Sequence, residues 1–314
     1  MSAHQASLES ARATTQSLNG ILSPMAFHLP ERLSRPMSWE EHIPFAFWLI
    51  ENSMPRLLVE LGTSSGNSYL AFCQAVKAIK LTTRCYAVNA WKEAAQTDSC
   101  AEEMYWTLFA HHDCRYGSFS RLVRTTFDEA LDHFEDGSID LLHIDGLHGY
   151  EALRHYFESW QPKLSTRAIV LIHGTNLREG SFGGSEFWGE LAGAHPRNFQ
   201  FTHCRGLGVL GLGVDLPAGV REFFALARNV EGERLIRDVY RRLGAHCSAT
   251  IVQQQLPELL PRILSAARTS DIARRISLLA PRPVVYADSS EANWSLIESE
   301  RVAGNRFVGD CNER

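Results

Sequence analysis

The sequence predicts an α/β fold: a seven-stranded, mostly parallel sheet with its last strand antiparallel, preceded by an N-terminal arm and followed by a helical segment. Three observations point there. Short apolar runs alternate with stretches of helical spacing from Leu57 to Leu191, the pattern of a parallel sheet flanked by helices. Tyr150, Leu153, Phe157 and Trp160 recur at helical spacing, giving that helix one apolar stripe to lay on a sheet. The last two runs, Phe199 to Thr202 and Gly208 to Val214, lie too close together for a parallel crossover, which takes about a dozen residues, so they pair antiparallel.

In chain order, residues 1–55 lack strand alternation and carry four prolines at positions 24, 30, 36 and 44, which predicts a short helix, an irregular arm and a helix near Ile43 to Glu51, a helical arm that serves as a lid or an interface. A core domain follows over 56–216. Leu57 to Leu61 reads as its first strand and Ser68 to Ile79 as the first helix, joined by a Gly/Ser turn. Cys85 to Val88 is the second strand, and a long polar connection runs from there to about Gly117. Arg121 to Thr125 is the third strand and Asp128 to Phe134 a helix, followed by the strand Ile139 to Ile144 and the helix from Tyr150 to Trp160. The strand Ala168 to His173 and the helix Glu186 to Leu191 lead into the antiparallel pair. Residues 217–285 read as helix without strand, Val220 to Leu243 and Ile251 to Leu279. Within 217–282 there are 11 arginines against 6 acidic residues, which suits a solvated face, a homo-oligomer contact or an anionic partner. The tail, 286–314, is polar.

Composition narrows the function. With 31 basic and 36 acidic residues, a net charge of -5, no basic footprint for nucleic acid covers the molecule. No apolar run is long enough for a membrane span, and residues 1–20 lack signal-peptide regions, so the expected location is cytoplasmic. Seven scattered cysteines without a C-x-x-C pair argue against a disulfide framework. The run His111-His-Asp-Cys114 is not read as a metal site, because adjacent helical residues point in different directions.

The turn Glu60-Leu-Gly-Thr-Ser-Ser-Gly66 sits at the carboxyl edge of the first strand, where ligands of open α/β sheets bind. Its glycines permit close backbone approach, and the helix N-terminus after it offers N–H groups to a carboxylate. The G-x-x-x-G spacing behind an acidic residue differs from the dinucleotide G-x-G-x-x-G, which favours S-adenosylmethionine over a nicotinamide cofactor. Glu60, Gly62, Thr63, Ser64 and Gly66 are therefore candidate cofactor-binding residues. Asn89 and Trp91 end the second strand where an acidic group would take ribose hydroxyls; asparagine loses the charge assistance, a cost of about 1 kcal/mol. Thr126 and Phe127 are placed to border an adenine or, equally, to cap a helix and pack the core.

Asp145 emerges from a buried strand with no Lys or Arg beside it and calls for a metal or ligand partner. His148 follows in the loop, where it could take a proton from an alcohol. His143 reads as a core residue. At His173-Gly-Thr-Asn176, a second metal-binding carboxylate is replaced by Gly174, so Asp145 alone would hold Mg2+ poorly.

Four stretches carry a closer likeness: Arg115 to Ser120, Thr126 to Leu131, Asp136 to His148 and Gly206 to Gly211. Through them the chain from about Leu57 to Gly213 resembles the Rossmann-like class I S-adenosylmethionine-dependent O-methyltransferases, in the branch of macrocin-type sugar O-methyltransferases and bacterial glycan-cluster methyltransferase domains. The resemblance implies O-methylation in glycan biosynthesis, with a small-molecule or glycan acceptor. It also implies a magnesium-holding aspartate at Asp145 and a general base at His148. Three positions depart from it: Asn89 and Gly174 stand where relatives carry aspartate, and Gly149 where they carry threonine. The departures leave three readings open: methyl transfer without metal, using His148; a catalytically silent binding or partner subunit; or an oxidoreductase or carrier of another nucleotide-like ligand in the same crevice.

Overall fold

The computed structural model describes residues 20–35, 37–91, 98–146, 149–177 and 183–267. Its seven strands are β1 (Leu57–Leu61), β2 (Arg84–Val88), β3 (Ser120–Val123), β4 (Ile139–Ile144), β5 (Leu164–His173), β6 (Asn198–Phe201) and β7 (Leu207–Gly211). They form one sheet in the order β3-β2-β1-β4-β5-β7-β6, with β7 antiparallel to both neighbours. The expected fold class is therefore found. Alternate residues of each strand enter opposite cores, as the period-2 pleat requires: Leu58, Leu141 and Leu171 face one, Val59, Leu142 and Ile172 the other.

The first core takes in described residues of the 1–55 segment, which the sequence presents as an arm or lid. Helix α1 (Ile43–Ser53) is buried from Ile43 through Ile50 and packs against α2 (Asn67–Ala78) and α7 (Ala218–Ala227). Its apolar residues surround the helix, the pattern of an interior helix. Tyr240, on the long α8 (Val230–Ala267), donates its hydroxyl to Ile21 O at 2.5 Å. Residues 217–252 thus share this core, and one compact unit extends to Val252. Of the second unit, 253–314, the described residues contain only the end of α8.

Two further expectations change. The connection read as polar from Trp91 to Gly117 contains α3 (Asp98–Tyr116). Its buried stripe is Ala101, Tyr105, Leu108, His112 and Tyr116, and the polar atoms on its three rings disguised the helical period. The helix break lies at Asn229, whose Oδ1 caps Gly232 N–H at 2.7 Å, rather than between Leu243 and Ile251. Gly244 is no breaker: a Cβ there would lie 2.2 Å from Glu41 O, so the glycine serves a close approach to the N-terminal segment.

The second core is covered by α4 (Phe127–Leu131), α5 (Tyr150–Trp160) and α6 (Gly184–Ala194). At the carboxyl edge, Asp145 N–H donates to Leu61 O at 2.8 Å and Gly62 N–H to Val88 O at 3.0 Å, drawing the β1 turn onto the end of β4. Gly62 adopts φ +93°, and a Cβ there would fall 1.8 Å from Asp145 O. Gly62→Ala should therefore lower stability by more than about 3 kcal/mol, or prevent folding, because both contacting atoms are backbone and cannot step aside. Urea unfolding of the variant measures this; a loss under about 1 kcal/mol would show that the edge closes otherwise.

Candidate active site

A crevice of about 200 Å³ opens at the carboxyl edge between β1, β4 and β5. Ser38 and Trp39 of the N-terminal segment form one wall, and Gly62 and Ser64–Ser68 another. Asp145, Gly146, His173, Gly174, Leu177, Gly184 and Arg205 complete it. Helix α2 starts on this wall: Gly66 is its N-cap at φ +86°, and Leu108 of α3 leaves no room for a larger residue. The first turn of α2 has no acidic residue, so its N–H groups present an uncompensated partial positive charge to the crevice.

Two carboxyl–imidazole pairs lie two residues apart along β4. Glu60 and His143 face each other across the β1–β4 ladder, and both are fully buried. The Glu60 carboxylate accepts Thr63 Oγ1–H at 2.7 Å and sits 2.8 Å from His143 Nδ1. Asp145 and His173 follow the last paired residues, Ile144 and Ile172. Asp145 Oδ1 lies 2.9 Å from His173 Nδ1 and accepts Gly146 N–H at 2.6 Å, while His173 Nε2 donates to Cys204 O at 3.1 Å.

With a carbonyl on one ring nitrogen and a carboxylate on the other, His173 carries protons on both and is an imidazolium. Burial works against this charge, but Asp145, by charge and hydrogen bond, and the Cys204 carbonyl raise its pKa above the ordinary histidine value. For Asp145, burial raises the pKa, yet the opposing attraction of His173, with His143 and Gly146 N–H, leaves it below the ordinary carboxylate range. Cys204 O also accepts His42 Nε2–H at 3.3 Å, which ties the helix-bearing N-terminal segment to the same point.

The structure brings together four of the sequence-derived candidates, Gly62, Ser64, Gly66 and Asp145, along the crevice. Glu60 and Thr63 lie behind it and brace the turn. Asn89 and Trp91 brace it from the other side: the Asn89 amide donates to Thr63 O, and Trp91 Nε1–H donates to Ser64 O at 3.3 Å. Thr126 and Phe127 do not line the crevice. Thr126 forms a reciprocal capping box with Glu129, and Phe127 packs its ring 5.0 Å from that of Tyr156. His148 lies outside the described residues. Gly149 is the N-cap of α5, and Gly174 lines the crevice at φ +84°.

The partner that Asp145 lacked in the sequence is supplied in the structure by His173. A divalent ion at Asp145 would stand against an imidazolium, and no group of three or more metal-binding side chains occurs among the described residues. Sequence reasoning placed His173 at this edge but assigned it no role, since the pairing depends on strand register. Ser38, Trp39 and Arg205 were missed because they come from segments without periodicity.

Comparison with known proteins bears on this site. Residues 59–175 match the family model described as a methyltransferase domain. The match runs from β1 through the end of β5. An uncharacterized protein of Sinorhizobium fredii, y4gI, is 43% identical over 222 residues, which cover 65% of this chain and 24% of that protein. The chain thus spans about a quarter of this relative's length. Among solved structures, the S-adenosylhomocysteine-bound methyltransferase PaMTH1 of Podospora anserina is 14% identical at a TM-score of 0.42, covering 65% of this chain and 94% of its own. The O-methyltransferase TomG of Streptomyces achromogenes, solved with S-adenosylmethionine, is 15% identical at a TM-score of 0.41, covering 63% and 87%. No helix among the described residues is long and apolar enough to cross a membrane.

The buried histidines set the acid limit of stability. Burial, then the charges of His203 and His173, push His42 well below its ordinary value of 6.5, and burial lowers His203 and His112 to about 4. Unfolding releases them to take up protons between pH 6.5 and 4, so stability is present above 6.5 and lost as the pH falls. His173 acts oppositely, its contribution being full below 6.5 and lost as pH rises through its raised value. The urea midpoint should therefore drop steadily from pH 6.5 to 4.5; a flat profile over that range would contradict these assignments.

Proposed function

We propose that the crevice binds S-adenosylmethionine and that the protein methylates a hydroxyl of a sugar, glycan or glycosylated small molecule. One coincidence of place carries the reading. The segment that matches a methyltransferase domain, 59–175, contains the β1 turn and the ends of β4 and β5, and these pieces fold around the crevice.

The residues present fit the amino-acid end of the donor. Its carboxylate suits the N–H groups at the start of α2, where Ser64–Ser68 form a polar wall without competing acid. Its ammonium group suits the partly exposed Asp145, the crevice's own carboxylate. A volume of about 200 Å³ is below the 300–1,000 Å³ typical of whole small-molecule sites, which suits this end rather than the nucleoside. Asn89 remains the candidate for the ribose through the second lone pair of its Oδ1, the first being used by Trp91 N–H at 3.3 Å. Thr126 and Phe127, which follow β3, remain the candidates for the adenine border beside their capping and packing contacts. When bound, the cofactor supplies an activated methyl group on a sulfonium.

The chain's own part is positioning and proton removal. His173 is unsuited to be the base because both ring nitrogens are engaged, and His143 and His42 are sealed from the crevice. His148, two residues beyond the crevice-lining Gly146, is the base we assign. The donor set at Asp145 does not suit magnesium, so no step is routed through a metal. A silent binding subunit is the second reading, favoured by the commitment of the Asn89 amide to the turn.

Calorimetry with S-adenosylhomocysteine should give a Kd tighter than ~1 mM; undetectable binding at that concentration would remove the enzyme reading. With candidate glycans and S-adenosylmethionine, His148→Ala should slow methyl transfer by roughly 10²- to 10⁴-fold. Transfer at an unchanged rate would remove His148 as base, and donor binding without transfer to any glycan would favour the silent subunit.

A further inference from the structure

We propose that Arg205 is the anchor for an oxyanion, a carboxylate or phosphate, carried by the acceptor. The proposal deepens the methyl-transfer reading and rests on it for the word acceptor. The turn before β7 holds Arg205 at the crevice by an unusual device. Cys204, Arg205 and Gly206 are consecutive left-handed residues at φ +48°, +67° and +88°, and a non-glycine residue there costs roughly 1 kcal/mol or more. Backbone hydrogen bonds compensate this cost. Cys204 O accepts from His42 and His173, Arg205 O from Asn176 N–H at 2.9 Å, and Gly206 O from Gly174 N–H at 2.9 Å. Gly206 is packed so closely on Asn176 that a Cβ would lie 2.5 Å from its nitrogen. The turn is thus fixed to the end of β5, and its one large side chain lines the crevice.

The charge balance there is uneven. Asp145 is the carboxylate of the crevice lining, and its Oδ1 is taken by His173. Arg205 is exposed and makes no ion pair or side-chain hydrogen bond among the described residues. A planar guanidinium with free donors is suited to bidentate recognition of carboxylate or phosphate.

Position separates this group from the donor's own carboxylate. In the sheet order β1-β4-β5-β7, three strand spacings of about 4.8 Å each put the β7 turn roughly 14 Å from the β1 turn. The N-terminus of α2 lies on the β1 side of Asp145, and Arg205 on the β5 side. One crevice therefore offers two anion-holding points, of which the second faces the acceptor.

The test is calorimetry on the full chain, with and without S-adenosylhomocysteine, using glucuronate and inorganic phosphate as probes and glucose as the neutral control. At least one anion should bind about tenfold more tightly than glucose, and the tighter arm identifies the class. Arg205→Gln should abolish that advantage, Arg205→Lys should retain part of it, and S-adenosylhomocysteine affinity should stay within about twofold in both variants, which also reports that they fold. The proposal is overturned if neither anion surpasses glucose, or if Arg205→Gln leaves the advantage intact. It is equally overturned if the substitution weakens S-adenosylhomocysteine instead, because Arg205 would then serve the donor. Failure of wild-type protein to bind S-adenosylhomocysteine, with anion binding still dependent on Arg205, would sink the methyl-transfer reading and leave the oxyanion site standing.

Discussion

Asp145 is the point at which the carboxyl edge of the sheet is tied together. Its N–H bonds to β1, its carbonyl oxygen lies so near Gly62 that only glycine fits, and its carboxylate reaches across to β5 through His173. From His173 the chain of hydrogen bonds passes to Cys204 O and on to His42, next to the start of α1. A single residue thereby fixes four parts of the chain that are remote in sequence. Breaking such a partly buried charged pair by deleting one member typically costs about 3–5 kcal/mol, since the other charge is left without compensation.

This arrangement also explains a chemical oddity of the crevice. A sheet edge carrying one carboxylate invites a cation, and here the cation belongs to the protein. The Glu60–His143 pair places another carboxyl beside an imidazole two residues deeper along β4, fully enclosed, with Trp39 and Phe72 rings 5.3 and 5.7 Å from the imidazole. Paired in this way, the carboxylates hold backbone geometry at the edge, and among the described residues the α2 N-terminus, the second oxygen of Asp145 and the guanidinium of Arg205 face a ligand.

Much of the architecture was legible because it rests on local pattern. The period-2 and helical runs from Leu57 onward, and the short link before Gly208, specify strand number and the reversed last strand without reference to distant contacts. The α3 helix escaped because its inward stripe includes His112 and Tyr116, which read as polar although the structure buries both. The β1 turn and Asp145 were legible as site residues by their place at a strand end. The roles of Glu60 and His173 were not, since both follow from inter-strand register, Glu60 opposite His143 and His173 just beyond Ile172. Thr126 illustrates the opposite case: T-x-x-E is a local capping signal, and the local use is the one found.

The account stands or falls on the charge of one ring. Nitrogen-15 NMR of histidine-labelled protein at pH 7.5 should show both ring nitrogens of His173, assigned by its loss in His173→Gln, at the shifts of a doubly protonated imidazolium. In Asp145→Asn the same ring should become neutral at that pH. A neutral His173 in the wild-type protein, with one nitrogen unprotonated, would contradict the internal ion pair and reopen the place beside Asp145 for a metal ion.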